Sequence, residues 1–112
     1  MKMRRGDTKK FKFQRKAKDG NVITAKPEKM YITFKYKDEK EALFQKTFEK
    51  GITYNETTNF YHITINPEDT DKLPFTTLKY DIEVINSANE VKTIKVDELE
   101  LLEEVTFKNN EV

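Results

Sequence analysis

His62 is the chain's single imidazole, set between Tyr61 and Ile63. General-base or nucleophilic chemistry would need a carboxylate and a nucleophile beside it, and the neighbouring sequence supplies neither. A solvated strand histidine is the plainer reading. Glu68, Asp69 and Asp71 crowd one turn and offer the oxygen chemistry of a calcium site, but they lack the regular spacing of an EF-hand loop. Pro67-Glu68-Asp69-Thr70 more readily builds a turn in which short polar side chains accept backbone N–H bonds. Arg5-Gly6-Asp7 is an integrin-type tripeptide and Asn55-Glu56-Thr57 a glycosylation sequon; matches this short arise by chance, and no secretory leader accompanies them. Zero Cys excludes disulfide scaffolds, thiolate zinc and iron–sulfur sites and cysteine nucleophiles. These residues predict no catalytic centre, no metal and no cofactor, hence not an enzyme.

Charge carries more information. Residues 1–18 hold nine Lys or Arg against Asp7, a net of +8, and residues 97–112 hold six acids against Lys108, a net of −5. The whole chain sums to only +1, which gives no global attraction to nucleic acid or an anionic membrane. Lys9, Lys10, Lys12, Arg15 and Lys16 interleave with Phe11 and Phe13 in the manner of a basic, aromatic single-strand platform. On a strand, however, Phe11 and Phe13 share one face and Lys10, Lys12 and Gln14 the other, the pattern of an amphipathic edge strand guarded by lysine. The charge and motif tests together weigh against nucleic acid, which stays as a second alternative. The opposed poles have two readings: neutralisation of neighbouring first and last strands within one molecule, or a head-to-tail contact between copies.

The elements that position these groups are strands. Apolar residues recur with period 2, which puts successive side chains on opposite faces. Met30, Ile32, Phe34 and Tyr36 form one such row; Tyr61, Ile63 and Ile65 form a second, opposite Phe60, His62 and Thr64. Leu78, Tyr80, Ile82 and Val84 form a third. Val91–Val96 and Leu99–Phe107 read as two further strands, the latter with Leu99, Leu101, Val105 and Phe107 in phase. Residues 41–52 fit helical spacing through Leu43, Phe44, Thr47, Phe48 and Ile52, while Phe44 and Phe48 also share a strand face; the strand is favoured. Turns fall at Asp19-Gly20-Asn21, Lys37-Asp38-Glu39, Asn66–Thr70 and Asn86–Asn89, and Asp-Gly marks a tight hairpin. The expected fold is all-β, an immunoglobulin-like antiparallel β-sandwich of about six to eight strands. One domain fills residues 1–112, with a core over about 7–107 and short flexible ends. Ile63, Ile65, Tyr80, Ile82 and Val84 are expected at its centre.

No apolar run approaches the roughly 18 residues that span a bilayer, which argues against an integral membrane protein. The basic N-terminus has no secretory apolar core, so synthesis in the cytoplasm is expected.

An ordered series of phrases runs through the chain: Asp7-Thr8 before Phe11-x-Phe13, Ile32-Thr33-Phe34, Phe44-Gln45-Lys46, and Tyr61-x-Ile63-x-Ile65-x-Pro67-Glu68-Asp69-Thr70. Leu73-Pro74-Phe75, Tyr80-Asp81-Ile82-Glu83-Val84, Lys92-Thr93-Ile94 and Glu104-Val105-Thr106 follow. From about Asp7 to Thr106 the chain resembles the N-terminal domain of the baseplate upper protein of tailed phages and prophages of Gram-positive bacteria. The resemblance implies an immunoglobulin-like sandwich that docks on the tail baseplate and holds other virion proteins without catalysis. It implies other tail and baseplate proteins as partners, a possible homo-oligomer on the virion, and a location in the host cytoplasm during assembly and then in the virion tail. The family has no catalytic residues to carry over. The alternative from a different class is a carbohydrate- or peptide-binding sandwich, in which Tyr31, Tyr36, Tyr54 or Phe60 would stack on a ligand.

Overall fold

The computed structural model describes residues 1–103, so the expectations for Val105, Phe107 and the Glu104-Val105-Thr106 phrase lie outside the described residues. In chain order the elements are β1 (Lys2–Arg4), β2 (Lys9–Phe13), β3 (Lys29–Tyr36), β4 (Phe44–Phe48), β5 (Gly51–Asn55), β6 (Phe60–Ile65), α1 (Pro67–Thr70), β7 (Thr77–Ile85) and β8 (Val91–Leu102). The fold is all-β, as the period-2 rows require.

Those rows are the core. Met30, Ile32 and Phe34 of β3, Ile52 of β5, Tyr61, Ile63 and Ile65 of β6, Leu78, Tyr80, Ile82 and Val84 of β7, and Leu99 and Leu101 of β8 are all buried, with Met3 of β1. Their alternate neighbours face water or are half-covered. The five residues expected at the centre lie there. The strands form one sheet in the order β1-β8-β7-β3-β4-β5-β6-β2. A sheet with one apolar face and, among the described residues, no helix longer than one turn covers that face with itself.

The chain shows how. β1 and β2 are the two outer strands of the order, yet only residues 5–8 separate them in sequence. Five Cα steps reach at most about 18 Å, so the two sheet edges are held near one another and the sheet curls round its core. Rings meet across that interior, where Phe11 of β2 lies 6.4 Å from Tyr80 of β7, while Phe13 stacks at 5.2 Å on Tyr61, its partner on the neighbouring β6.

The sheet is mixed rather than antiparallel throughout. β1 runs parallel to β8, with Lys2 opposite Glu100, and β4 meets β5 in parallel over two residue pairs, Thr47 with Gly51 and Phe48 with Ile52. At this thin junction the chain turns a corner within three residues, with Glu49 at φ 68° and Gly51 at φ 106°. Residues 41–52 thus contain strand, as favoured, and Gly51 opens β5 where a Cβ would run into the Lys46 side chain.

Two expectations change in detail. Val91–Val96 and Leu99 onward belong to one strand, β8, continuous through Asp97 and paired with β7 along its length, with a register shift opposite Ile82 and Glu83. The shift skips Ile94 and resets the alternation, which is why one strand reads as two. Pro67–Thr70 forms a single helical turn, because Pro67 at its start has its φ already set and the Asp69 carboxylate accepts the Asn66 N–H at 2.7 Å.

Candidate docking surface

The sequence-expected site residues are scattered and mostly occupied with structure. His62 is exposed on the outer face of β6, across from Lys12 on β2 and Thr53 on β5, its ring 6.4 Å from Phe60. Asp69 receives the Lys46 ammonium at 2.6 Å in addition to the Asn66 N–H. Thr70 is buried and its Oγ1 accepts the Gly6 N–H at 2.9 Å. Among the described residues no three His, Asp or Glu side chains gather into a cluster that could hold a metal ion.

The Arg5-Gly6-Asp7 tripeptide is the link between the two sheet edges. Gly6 takes φ 81° there, Arg5 donates to the Leu73 carbonyl at 3.0 Å, and its guanidinium lies 4.2 Å above the Phe75 ring. Together with Gly6 on Thr70, these contacts tie the link to α1 and the loop that follows it. The sequon residue Asn55 accepts the N–H groups of Thr57 and Thr58 through its Oδ1, closing the turn into β6.

Among the described residues the aromatic side chains do not assemble a stacking platform. Phe11 and Phe13 turn inward onto Tyr80 and Tyr61 and leave Lys10 and Lys12 outside, the amphipathic arrangement of an edge strand. Tyr54 packs against Tyr61 at 4.6 Å and donates its hydroxyl to Asn59. Phe60 lies under the Lys12 ammonium at 4.6 Å. Tyr31 and Tyr36 sit half-buried on opposite faces of β3, Tyr36 against the core.

What the fold leaves open is a seam. β1 covers the outer edge of β8 only at Glu100–Leu102, extended by Met1, whose amine donates to the Glu98 carbonyl and whose own carbonyl accepts the Glu100 N–H. Below that point, Val91–Asp97 of β8 pairs with β7 on one side and, among the described residues, with no strand on the other. Among the described residues the outer edge of β2 likewise has no strand neighbour. In this stretch every β8 side chain except Ile94 is exposed, including Val91 at 60% and Val96 at 57%. These two and Phe75 are the large apolar side chains most open to water among the described residues.

Across from this edge stands the arm that follows β2. It is folded by the Asp19-Gly20 turn, with Gly20 at φ 88° and Lys16 bridged to Val22, and the Ile23 N–H returns to the Arg15 carbonyl at 2.8 Å. Between arm and β8 lie two cavities of about 350 and 510 Å³ that share Arg15, Ile23 and Lys92 and so form one groove. Their walls carry Arg15, Lys16, Lys26, Lys92 and Lys95 against the single acid Glu90. Burial pushes the Tyr61 phenol above its usual range, and the Arg15 guanidinium beside it partly offsets that.

The sequence had marked the basic arm but not the groove, since no local pattern in Val91–Asp97 tells an open edge from a paired one. The loss of strict alternation in that stretch was the available sign. No protein-family model matches the chain, and no curated protein matches it.

Proposed function

We propose that this chain is a non-catalytic docking domain that works through protein–protein contacts, and that it serves in the tail baseplate of a phage or prophage. The observation that supports the docking role most directly is the Val91–Asp97 edge, which pairs with no strand on its outer side among the described residues, with Val91 and Val96 open to water. A strand edge presenting free N–H and C=O groups next to exposed apolar side chains is a template for another chain, and soluble proteins rarely leave one uncovered without use. The baseplate placement rests on the ordered phrases from Asp7-Thr8 to Glu104-Val105-Thr106. On this reading the protein is made in the host cytoplasm and passes into the virion tail.

The test is direct. Tail particles induced from the bacterium that carries the gene, purified on a density gradient and analysed by mass spectrometry, should contain this chain in fixed stoichiometry with the baseplate proteins. Particles that assemble fully without it would overturn the baseplate placement.

A further inference from the structure

We infer that the seam between β2 and β8 binds an extended acidic segment of a partner protein, which adds as a strand to the Val91–Asp97 edge. The inference rests on the docking role proposed above and names the chemistry of the partner.

Three features converge at this place. The first is geometric: among the described residues no strand pairs with the outer edge of β8 over Val91–Asp97, and the arm facing it stands off by a groove rather than closing on it. An added strand satisfies main-chain groups along such an edge, while pockets for alternate side chains select its sequence. The second is apolar: Ile23 and Ile94, both half-buried, line the groove between the charges. A segment with an apolar residue at every second position would set those residues against them. The third is charge. Five cations face one acid in the groove walls, although Lys95 already reaches Asp97 at 3.7 Å on the exposed surface.

The same features exclude the wrong occupant. Lys92, Lys95 and the register shift at Ile94 are the devices by which an edge repels an indiscriminate neutral or basic strand. To an acidic strand the two lysines become partners, so repulsion and attraction together define specificity. Nucleic acid would satisfy the charge but not the edge, because phosphates offer no ladder of N–H and C=O groups and the nearby Phe11 and Phe13 rings face inward.

The probe is a ten-residue synthetic peptide alternating glutamate with valine, titrated into the intact protein with fluorescence anisotropy as readout. A peptide with lysine in place of glutamate and a single-stranded oligonucleotide serve as comparisons. The inference expects saturable binding of the acidic peptide alone, at least tenfold weaker in high salt and in the Lys92→Glu/Lys95→Glu variant. These lysines are exposed, and an unchanged urea midpoint will show that the variant folds. Hydrogen exchange supplies the second readout: on binding, backbone amides within Val91–Asp97 should gain protection. No saturable binding, equal binding of the oligonucleotide, or binding without protection at Val91–Asp97 would each overturn the strand-addition site. Any of those results leaves the particle-content experiment standing, and the absence of the chain from particles would not affect the peptide result.

Discussion

The Lys46 ammonium sits 2.6 Å from the Asp69 carboxylate, with side chains only 7% and 17% exposed, so that β4 points a lysine into the core and α1 receives it. The pair fastens the α1 end of the molecule to the corner strand. Asp69 holds the Asn66 N–H with the same carboxylate oxygen. Removing one member leaves a buried charge without compensation, which costs about 3–5 kcal/mol. Asp69→Ala should therefore lower the urea midpoint steeply. Lys46→Met with Asp69→Asn should recover most of the loss, because no charge is then stranded and Asn can still accept the Asn66 N–H. A double variant as unstable as Asp69→Ala would refute this account.

Gly51 is part of the same device. Its φ of 106° belongs to glycine, and a Cβ would collide with the stem of Lys46. Gly51→Ala should destabilise by about 1–3 kcal/mol, the cost of a strained backbone position, with the collision adding to it. The control is Gly20→Ala, at φ 88° but with open space around it, which should show the backbone cost alone in the same denaturation experiment.

Ile82 is 1% exposed at the centre of β7. Ile82→Ala should cost about 2–5 kcal/mol, the range for large-to-small core changes. Val96→Ser, on the open part of β8, should stay within about 0.5 kcal/mol of the parent, since it gives up no buried contact. Equal losses for the two would show that the inner and outer faces have been misassigned.

Rows such as Tyr61/Ile63/Ile65 and Leu78/Tyr80/Ile82/Val84 were legible in the sequence because burial on one face writes itself with period 2. The corner at β4 and β5 was not, because Lys46 faces inward on account of Asp69, twenty-three residues away. A lysine on a strand otherwise reads as solvent-facing. β1 was hidden for a related reason: three residues with one apolar side chain, Met3, carry no periodicity, and only their register with Glu100–Leu102 makes them a strand. The seam between β2 and β8 was the least legible part, since whether an edge is paired depends on where distant strands lie and not on the edge's own residues.

Tyr80 gives a pH dependence with a definite sign. Its phenol is pushed above the usual 10.0 first by burial and then by the Asp97 carboxylate. The native state keeps its proton where the unfolded chain loses it, so the stability this provides is complete below pH 10 and declines as pH rises from there through the folded value. Urea midpoints measured from pH 8 to 11.5 should fall at the alkaline end, less steeply in Tyr80→Phe. Asp97→Asn should shift the ultraviolet titration of Tyr80 downward. An identical alkaline slope in Tyr80→Phe would assign the loss to other groups, with Tyr61, raised mainly by burial, as the next to test.

The opposed charge poles are partly joined inside the molecule. Lys2 stands opposite Glu100 in the β1–β8 register, and the Arg4 guanidinium donates to the Glu103 carbonyl at 2.7 Å. The cations from Lys9 to Lys18 lie on β2 and on the arm that follows it, across the groove from β8. Neighbouring strands of opposite charge need no second copy to meet, so the isolated protein should sediment as a monomer at low and high ionic strength alike. Screening should lower its stability by less than about 1 kcal/mol, as for exposed pairs. Position then separates the two groups of lysines. Lys2→Glu sets a like charge opposite Glu100 and should cost about 0.2–1 kcal/mol, whereas Lys10→Glu, opposite Thr64 on the β2–β6 register, should leave stability unchanged. A dimer that forms at low ionic strength, dissolves with salt and is abolished by Lys10→Glu would mean that the poles act between molecules, and that a second copy's acidic face competes for the basic edge.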